Sequence, residues 1–462
     1  MVCRAEPAAL HAALPHLLAL CAHIEPHRGG ECSLRAFITD YVRAGESERL
    51  ASAARAAIDA AMRDAHAWRH AAPAPGSRHR LIFSCCAEGW QAAVAAALAA
   101  RRCGACGGVE ALRATTGALA ALATQCRAAH ARLVPASSVG VANAGGGASG
   151  AGGGAGPRAA RWLADDDIVR FLQSLPNWRA VLRARAAAAN AAPATPVSAQ
   201  ELDQAYEREA EILGSSLGDG AVTRKEILPD GPALADLALL CETMDWLSTN
   251  IKTIPSLVAS LKPGDKFTAD INSAALIFEE ISHKCLLFLH LEVRIECFYY
   301  LGQEESSDMG DENSEGGAGA ARLAHALLSF HEHASAILAP GALAYVFNGV
   351  GEMMSAGMMW RVQGAQSTGE EEAARLATLR HALAALRLPP RGLARAAQYL
   401  RLLTKGHEEI ISSVREKGPQ FSELEYLNAF KVIGARRGLS PAEMKEHLRQ
   451  LSAALGHVGV TV

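Results

Sequence analysis

The chain has 462 residues, with 45 Lys+Arg against 48 Asp+Glu and a formal net charge of −3, so no global basic field draws it to nucleic acid or to an anionic membrane. Half of the residues are hydrophobic but only 5% are aromatic. The text is crowded with Ala, Leu, Arg and Glu, which favours helix and excludes a large β-sandwich or barrel. Nine of the basic residues are Lys and the first of them is Lys225. That asymmetry reads as coding bias rather than as an Arg-based binding surface. The 11 Cys form no framework, and neither a leader pattern nor a glycosylation sequon accompanies them, which fits a reducing, cytoplasmic setting.

In chain order, helical spacing runs over residues 7–21, 34–43 and 46–69, and residues 1–70 read as one helical bundle segment. Residues 71–157 change character to Ala runs and end in the tract GVANAGGGASGAGGGAGP. They read as an Ala/Gly-rich insertion or linker, disordered over 140–157, because such a tract has no side chains with which to bury area. Order resumes with Asp165, Asp166 and Asp167, whose charge complements the first turn of a short helix that Pro176 ends. Capping boxes at Ser198/Glu201, Thr368/Glu371, Ser422/Glu425 and Ser440/Glu443 mark four further helix starts.

Between these boxes the spacing predicts helices over 232–250, 270–301, 320–338, 341–360 and 391–416. The 270–301 helix is apolar on so many sides that it must be packed on several of them. Glu279, Glu280, His283, Lys284, His290, Glu292, Arg294 and Glu296 interrupt it, which excludes a bilayer span. Leu376, Leu379, Leu383 and Leu386 form a short seam for an antiparallel neighbour. The bundles run over 158–303 and 319–456, separated by an acidic loop at 304–318, whose residues 304–317 read EESSDMGDENSEGG, predicted to be disordered. Only the tail, 457–462 (HVGVTV), alternates like an extended segment.

Chemistry-bearing patterns are few. Cys103, Cys106, Cys126 and His130 have the residue types of a tetrahedral zinc site, with Cys126 and His130 on one helix face. The bland alternative is thiols buried in Ala-rich helix. Gly214-Ser215-Ser216-Leu217-Gly218 matches the hydrolase pattern G-x-S-x-G, but that pattern needs a preceding strand, whereas here a helix precedes it and Gly214 reads as its C-terminal stop. Gly349, Gly351 and Gly357 stand among Met353, Met354, Met358 and Met359 and read as close helix packing. His331-Glu332-His333 and His407-Glu408-Glu409 read as solvated faces. No paired carboxylates in an apolar pocket are evident.

Six blocks resemble one family, in order along the chain: residues 32–41 (CSLRAFITDY), 64–68 (DAHAW), 165–178 (DDDIVRFLQSLPNW), 285–300 (CLLFLHLEVRIECFYY), 347–357 (FNGVGEMMSAG) and 421–428 (FSELEYLN). They are similar to the later part of the exocyst complex component 4 family. The block at 285–294 is the most specific of them. The resemblance implies an all-α fold, an elongated rod of consecutive antiparallel helical bundles. It implies a non-catalytic subunit of a complex that tethers secretory vesicles to the plasma membrane before fusion, cytoplasmic and peripheral at sites of secretion. Other exocyst subunits would be its partners, with no cofactor, small-molecule substrate or nucleic acid. The family's N-terminal coiled-coil half has no counterpart here, so Met1 is read as internal to a longer protein or to a partial gene model. Some family members end in a ligand for PDZ-type domains, and Val460, Thr461 and Val462 fit the hydrophobic variant of that motif, binding by strand addition. A helical adaptor unrelated to exocytosis and a zinc-binding module are the competing readings.

Overall fold

The computed structural model describes residues 7–42, 45, 47–64, 66–76, 80–104, 107–134, 156–188, 197–218, 222–228, 231–302, 318–364 and 369–458. Within them the protein is all-α apart from one two-stranded antiparallel ribbon, in which Ala71–Pro73 pairs with Leu81–Phe83 in the register Ala72↔Ile82. The chain divides into two compact units. The first takes residues 1–149, 232–289 and 334–342, and the second takes residues 150–231, 290–333 and 343–462.

In the first unit the helices Ser47–Met62, Ser84–Cys103 and Gly108–Leu133 pack on one another. Where composition reads as linker, the described residues are therefore ordered, as the ribbon and two long helices. Ala93, Ala97, Ala100, Ala111, Ala114 and Ala118 are all buried, so small side chains let the backbones approach, and large ones such as Ile58, Leu119 and Leu122 fill the remaining space. A Cβ on Gly108 would lie 2.7 Å from the Ala100 carbonyl oxygen. The ribbon, which alternation alone did not reveal, is held from outside itself. The Phe83 N–H donates to Thr243 Oγ1 at 3.1 Å, and Arg80 pairs with Glu242 at 2.9 Å and with Asp245. Trp90 meets Trp246 edge-on.

In the second unit the capping logic accounts for four helix starts. Asp165 accepts from the Asp167 and Ile168 amides, Ser198 exchanges hydrogen bonds with Glu201, and Ser422 and Ser440 do the same with Glu425 and Glu443. Thr368, the remaining predicted cap, lies outside the described residues, as do most of the 140–157 tract and nearly all of the acidic loop. Pro176 ends one helix and opens the next, Pro176–Ala188, where its missing N–H is harmless.

Four expectations are corrected. The helix Ala199–Gly218 runs straight through Gly214, which faces Phe298 and Ala356 at 3.3–3.4 Å from a notional Cβ; close packing, not a stop, explains this glycine. The 341–360 segment is two helices, Pro340–Phe347 and Val350–Gly364, broken at Gly349, whose φ of +84° suits only glycine. The 391–416 segment likewise breaks, into Ala394–Leu402 and His407–Lys417. Finally, the helix Pro441–Val458 includes His457 and Val458, so the extended tail does not begin at 457. The seam residues Leu376, Leu379, Leu383 and Leu386 are all buried.

Gly392 supplies a test of this packing. A Cβ there would lie 2.7 Å from the Gly351 carbonyl carbon and from the Glu352 nitrogen, backbone atoms that have no side-chain freedom with which to yield. Gly392→Ala should cost about 1–3 kcal/mol in urea unfolding. Gly456→Ala, in open space on the helix Pro441–Val458, should leave stability unchanged or raise it by up to about 1 kcal/mol.

Candidate functional site

The chemistry concentrates inside the second unit, at the point where the helix Pro340–Phe347 ends. A helix end leaves its last carbonyls without partners, and here they are buried. Arg294, only 1% exposed, supplies the donors: Nη1 donates to Val346 O at 2.5 Å and Nη2 to Asn348 O at 2.6 Å. His290, one turn earlier on the helix Asp265–Gly302, places Nδ1 at 2.8 Å from Tyr345 O and stacks its ring on Tyr345 at 4.2 Å.

A buried guanidinium requires an anion, and Glu209 of the helix Ala199–Gly218 provides it. Its Oε1 accepts from Arg294 Nε at 2.8 Å and lies 2.5 Å from His290 Nε2. Its Oε2 accepts from Asn177 Nδ2 at 3.2 Å, and the Asn177 Oδ1 in turn accepts from the Trp178 amide. Burial pushes the Glu209 carboxyl up, but the His290 and Arg294 charges outweigh it and hold the group at about 2. Burial and then Arg294 press His290 down, against the Glu209 contact and the Tyr345 carbonyl. Both ring nitrogens face acceptors, and which of them donates depends on the tautomer.

A pair of acids lies on the helix Asp265–Gly302. Burial, and then Glu296, push Glu292 up to about 8, and burial pushes Glu296 up to about 7. Paired carboxylates in an apolar setting are thus present where the sequence showed none, because a strongly apolar helix with scattered charges does not reveal which charges turn inward. His407 also departs from the solvated-face reading: it is 3% exposed, packs on Phe430 and stacks on His447, while Glu408 and Glu409 are exposed. His331 is half-buried, and Glu332 and His333 are exposed.

Of the zinc candidates, Cys103 is buried in a cluster with Leu14, Cys21, Cys32, Ile38 and Val42. Cys126 lies beside Cys86, whose thiol burial and that neighbour push well up, and burial lowers His130. Cys106 lies outside the described residues. Among the described residues no group of three or more His, Cys, Asp or Glu side chains is placed to hold a metal ion. Ser215 and Ser216 sit within a continuous helix and donate to Ile212 O, so the strand-turn-helix setting of a hydrolase nucleophile is absent there. Gly351 and Gly357 approach Gly392 and Leu301 to 3.1–3.2 Å from a notional Cβ, as the small-residue reading expected. A cleft of about 170 Å³ runs beside Asp203, Tyr206, Asn348, Glu352 and Arg391. Val460, Thr461 and Val462 lie outside the described residues.

No family model matches the chain. Against curated proteins, it is 29% identical over 334 residues to exocyst complex component 4 of Drosophila melanogaster, covering 64% of this chain and 34% of that protein. It is 31% identical over 219 residues to the Caenorhabditis elegans protein of that name, covering 42% and 24% respectively. With the Homo sapiens protein the identity is 27% over 304 residues, 60% of this chain and 30% of that one. The chain is thus similar to exocyst complex component 4 of three animals over 42–64% of its own length. It spans about a third or less of the length of these relatives. Three of the blocks that carry the resemblance meet in the buried network: 165–178 brings Asn177 and Trp178, 285–300 brings His290 and Arg294, and 347–357 brings Asn348. Among the described residues no helix is long and apolar enough to cross a membrane.

Glu209→Gln removes the anion but keeps the shape, leaving Arg294 buried without its counter-charge. The loss should be on the order of 3–5 kcal/mol at pH 7. The folded-state pKa is depressed, so this stabilisation is present above the ordinary carboxylate range and is lost as pH falls toward about 2. Urea unfolding at stepped pH should therefore show the wild-type and Gln curves converging in acid.

Proposed function

We propose that the chain acts as a non-catalytic subunit of the exocyst, contributing helical scaffold to a complex that tethers secretory vesicles to the plasma membrane before fusion. The observation that carries this reading is the set of matches to exocyst complex component 4 of fly, worm and human. The architecture suits the role. Packed helices satisfy their own backbone and give length per residue, and Glu209 and Glu292 are buried in contacts with Arg294 and with Leu228 rather than lining the cleft beside Asp203.

Partners would be other exocyst subunits, engaged through a few apolar anchors. Leu34, Phe37 and Tyr41, at helical spacing on Ser33–Tyr41, are 36%, 67% and 39% exposed and offer such a face. Association with the membrane would be peripheral and through the complex, at sites of secretion. The terminal Val460-Thr461-Val462 would add a contact to a PDZ-type domain by strand addition.

Affinity purification of the tagged protein from its native locus tests the reading. Recovery of other exocyst subunits is expected, and Phe37→Ser should reduce it. Recovery of the protein alone as a monomer, under conditions in which the remaining subunits stay assembled, would count against it.

A further inference from the structure

Glu292 and Glu296 stand one turn apart on the helix Asp265–Gly302, and their residues are 0% and 6% exposed. Two ionised carboxylates so placed would repel in a layer that water does not reach, and each would lose its hydration. A short strap, residues 223–228, reaches them: it contacts Glu292 directly, and its Arg224 acts electrostatically on both acids. Its Leu228 N–H donates to Glu292 Oε1, while Glu292 Oε2 has no hydrogen-bond partner. Ile227 and Leu228 are 3% and 7% exposed, so the apolar end of the strap is buried.

The strap is lightly built. It contains one 3-10 turn, Arg224–Glu226, braced by Thr223 N–H to Glu226 Oε2 at 2.9 Å and by Arg224 Nη1 to Leu228 O at 3.1 Å. Glu226 ties its middle to Arg158 at 3.0 Å and to Arg161, both on the helix Arg158–Leu163. The charged group that faces the two acids from the strap is Arg224, which favours ionisation of both. On their own helix the neighbours are the acids themselves and Tyr300, and Arg322 of the helix Ala318–Ile337 acts on Tyr300.

We propose that residues 223–228 form a proton-controlled latch on the helix Asp265–Gly302, closed while Glu292 and Glu296 carry protons and open once both are ionised. The physical reason is a comparison of two ways to hydrate the anions. Unwinding a 38-residue helix would break its backbone ladder and the Arg294 network beside it. Lifting the strap breaks the Leu228 contact and exposes two apolar side chains, while Glu226 keeps the middle attached as a hinge and Arg224 stays close enough to compensate the new charge. Burial pushes the two acids up to about 8 and about 7, so the latch works across neutral pH. The sign follows: the folded, closed state holds protons that an open state releases, so closure is favoured at low pH and weakens as pH rises.

Hydrogen–deuterium exchange of the whole protein, corrected for the intrinsic pH dependence of exchange, reads the latch directly. Between pH 6 and pH 9 the protection of amides 224–228 should fall as pH rises, by about tenfold per pH unit for each acid still protonated in the closed state, and level off above about pH 8 where both are ionised, with little change along 265–302. Over the same range the infrared carboxylic-acid C=O band should disappear. In the Glu292→Gln/Glu296→Gln double variant, protection should stay flat and the band's pH dependence should be lost. Strap protection that does not change with pH in the wild type, or a response that survives in the double variant, overturns the proposal. Should the double variant not fold, Arg224→Gln decides: loss of the cation must move the midpoint to higher pH, and an unmoved midpoint overturns the latch.

Discussion

A helix that ends in a dry interior has to find donors for its last carbonyls, and in the second unit that need sets the rest in train. The helix Pro340–Phe347 stops at the Gly349 break, and Tyr345, Val346 and Asn348 turn their carbonyls to His290 and Arg294. The guanidinium that answers them brings a charge inside. Glu209 balances that charge, which fixes the helix Ala199–Gly218 against the helix Asp265–Gly302, and Asn177 completes the carboxylate's hydrogen bonds and places the start of Pro176–Ala188. Replacing such a cluster wholesale by apolar groups is often neutral or stabilising, whereas breaking it is expensive. We therefore read it as a device that fixes the register of the helices.

This view ties the architecture to the role proposed for the chain. Such a role needs exposed faces held in fixed relation, and a bundle of amphipathic helices alone permits slippage between neighbouring registers. Polar groups that find partners in only one arrangement remove that freedom. The blocks that resemble exocyst complex component 4 bring Asn177, His290, Arg294 and Asn348 to one place, so the sequence similarity and the interior chemistry coincide in the same residues.

Much of the fold was legible in the sequence because helices announce themselves locally. Ser198, Ser422 and Ser440 cap where the boxes place them, and the apolar excess of the 270–301 segment reports a helix buried on several sides. What stayed hidden depends on groups far apart in the chain. Glu209 reads as one acid among several on an exposed helix until His290 and Arg294 are seen beside it, 81 and 85 residues away. The inward turn of Glu292 and Glu296 is invisible for the same reason, since the strap that contacts Glu292 lies more than 60 residues earlier. Gly214 and Gly349 show the limit of punctuation by glycine: one is packed mid-helix against Phe298, the other breaks a helix because its φ is positive. The Ala-rich 84–133 stretch looks like filler by composition, yet small buried faces are what allow its two helices to pack closely.

The claim that one buried charge network sets the register is tested most directly by a double-mutant cycle on Glu209 and Arg294, measured by urea unfolding at neutral pH. Glu209→Leu strands a cation and Arg294→Met strands an anion, whereas the double variant strands neither. The account predicts that the double variant is far more stable than the sum of the single losses implies, by about 2–3 kcal/mol. Additivity of the two single losses to within about 0.5 kcal/mol would contradict it.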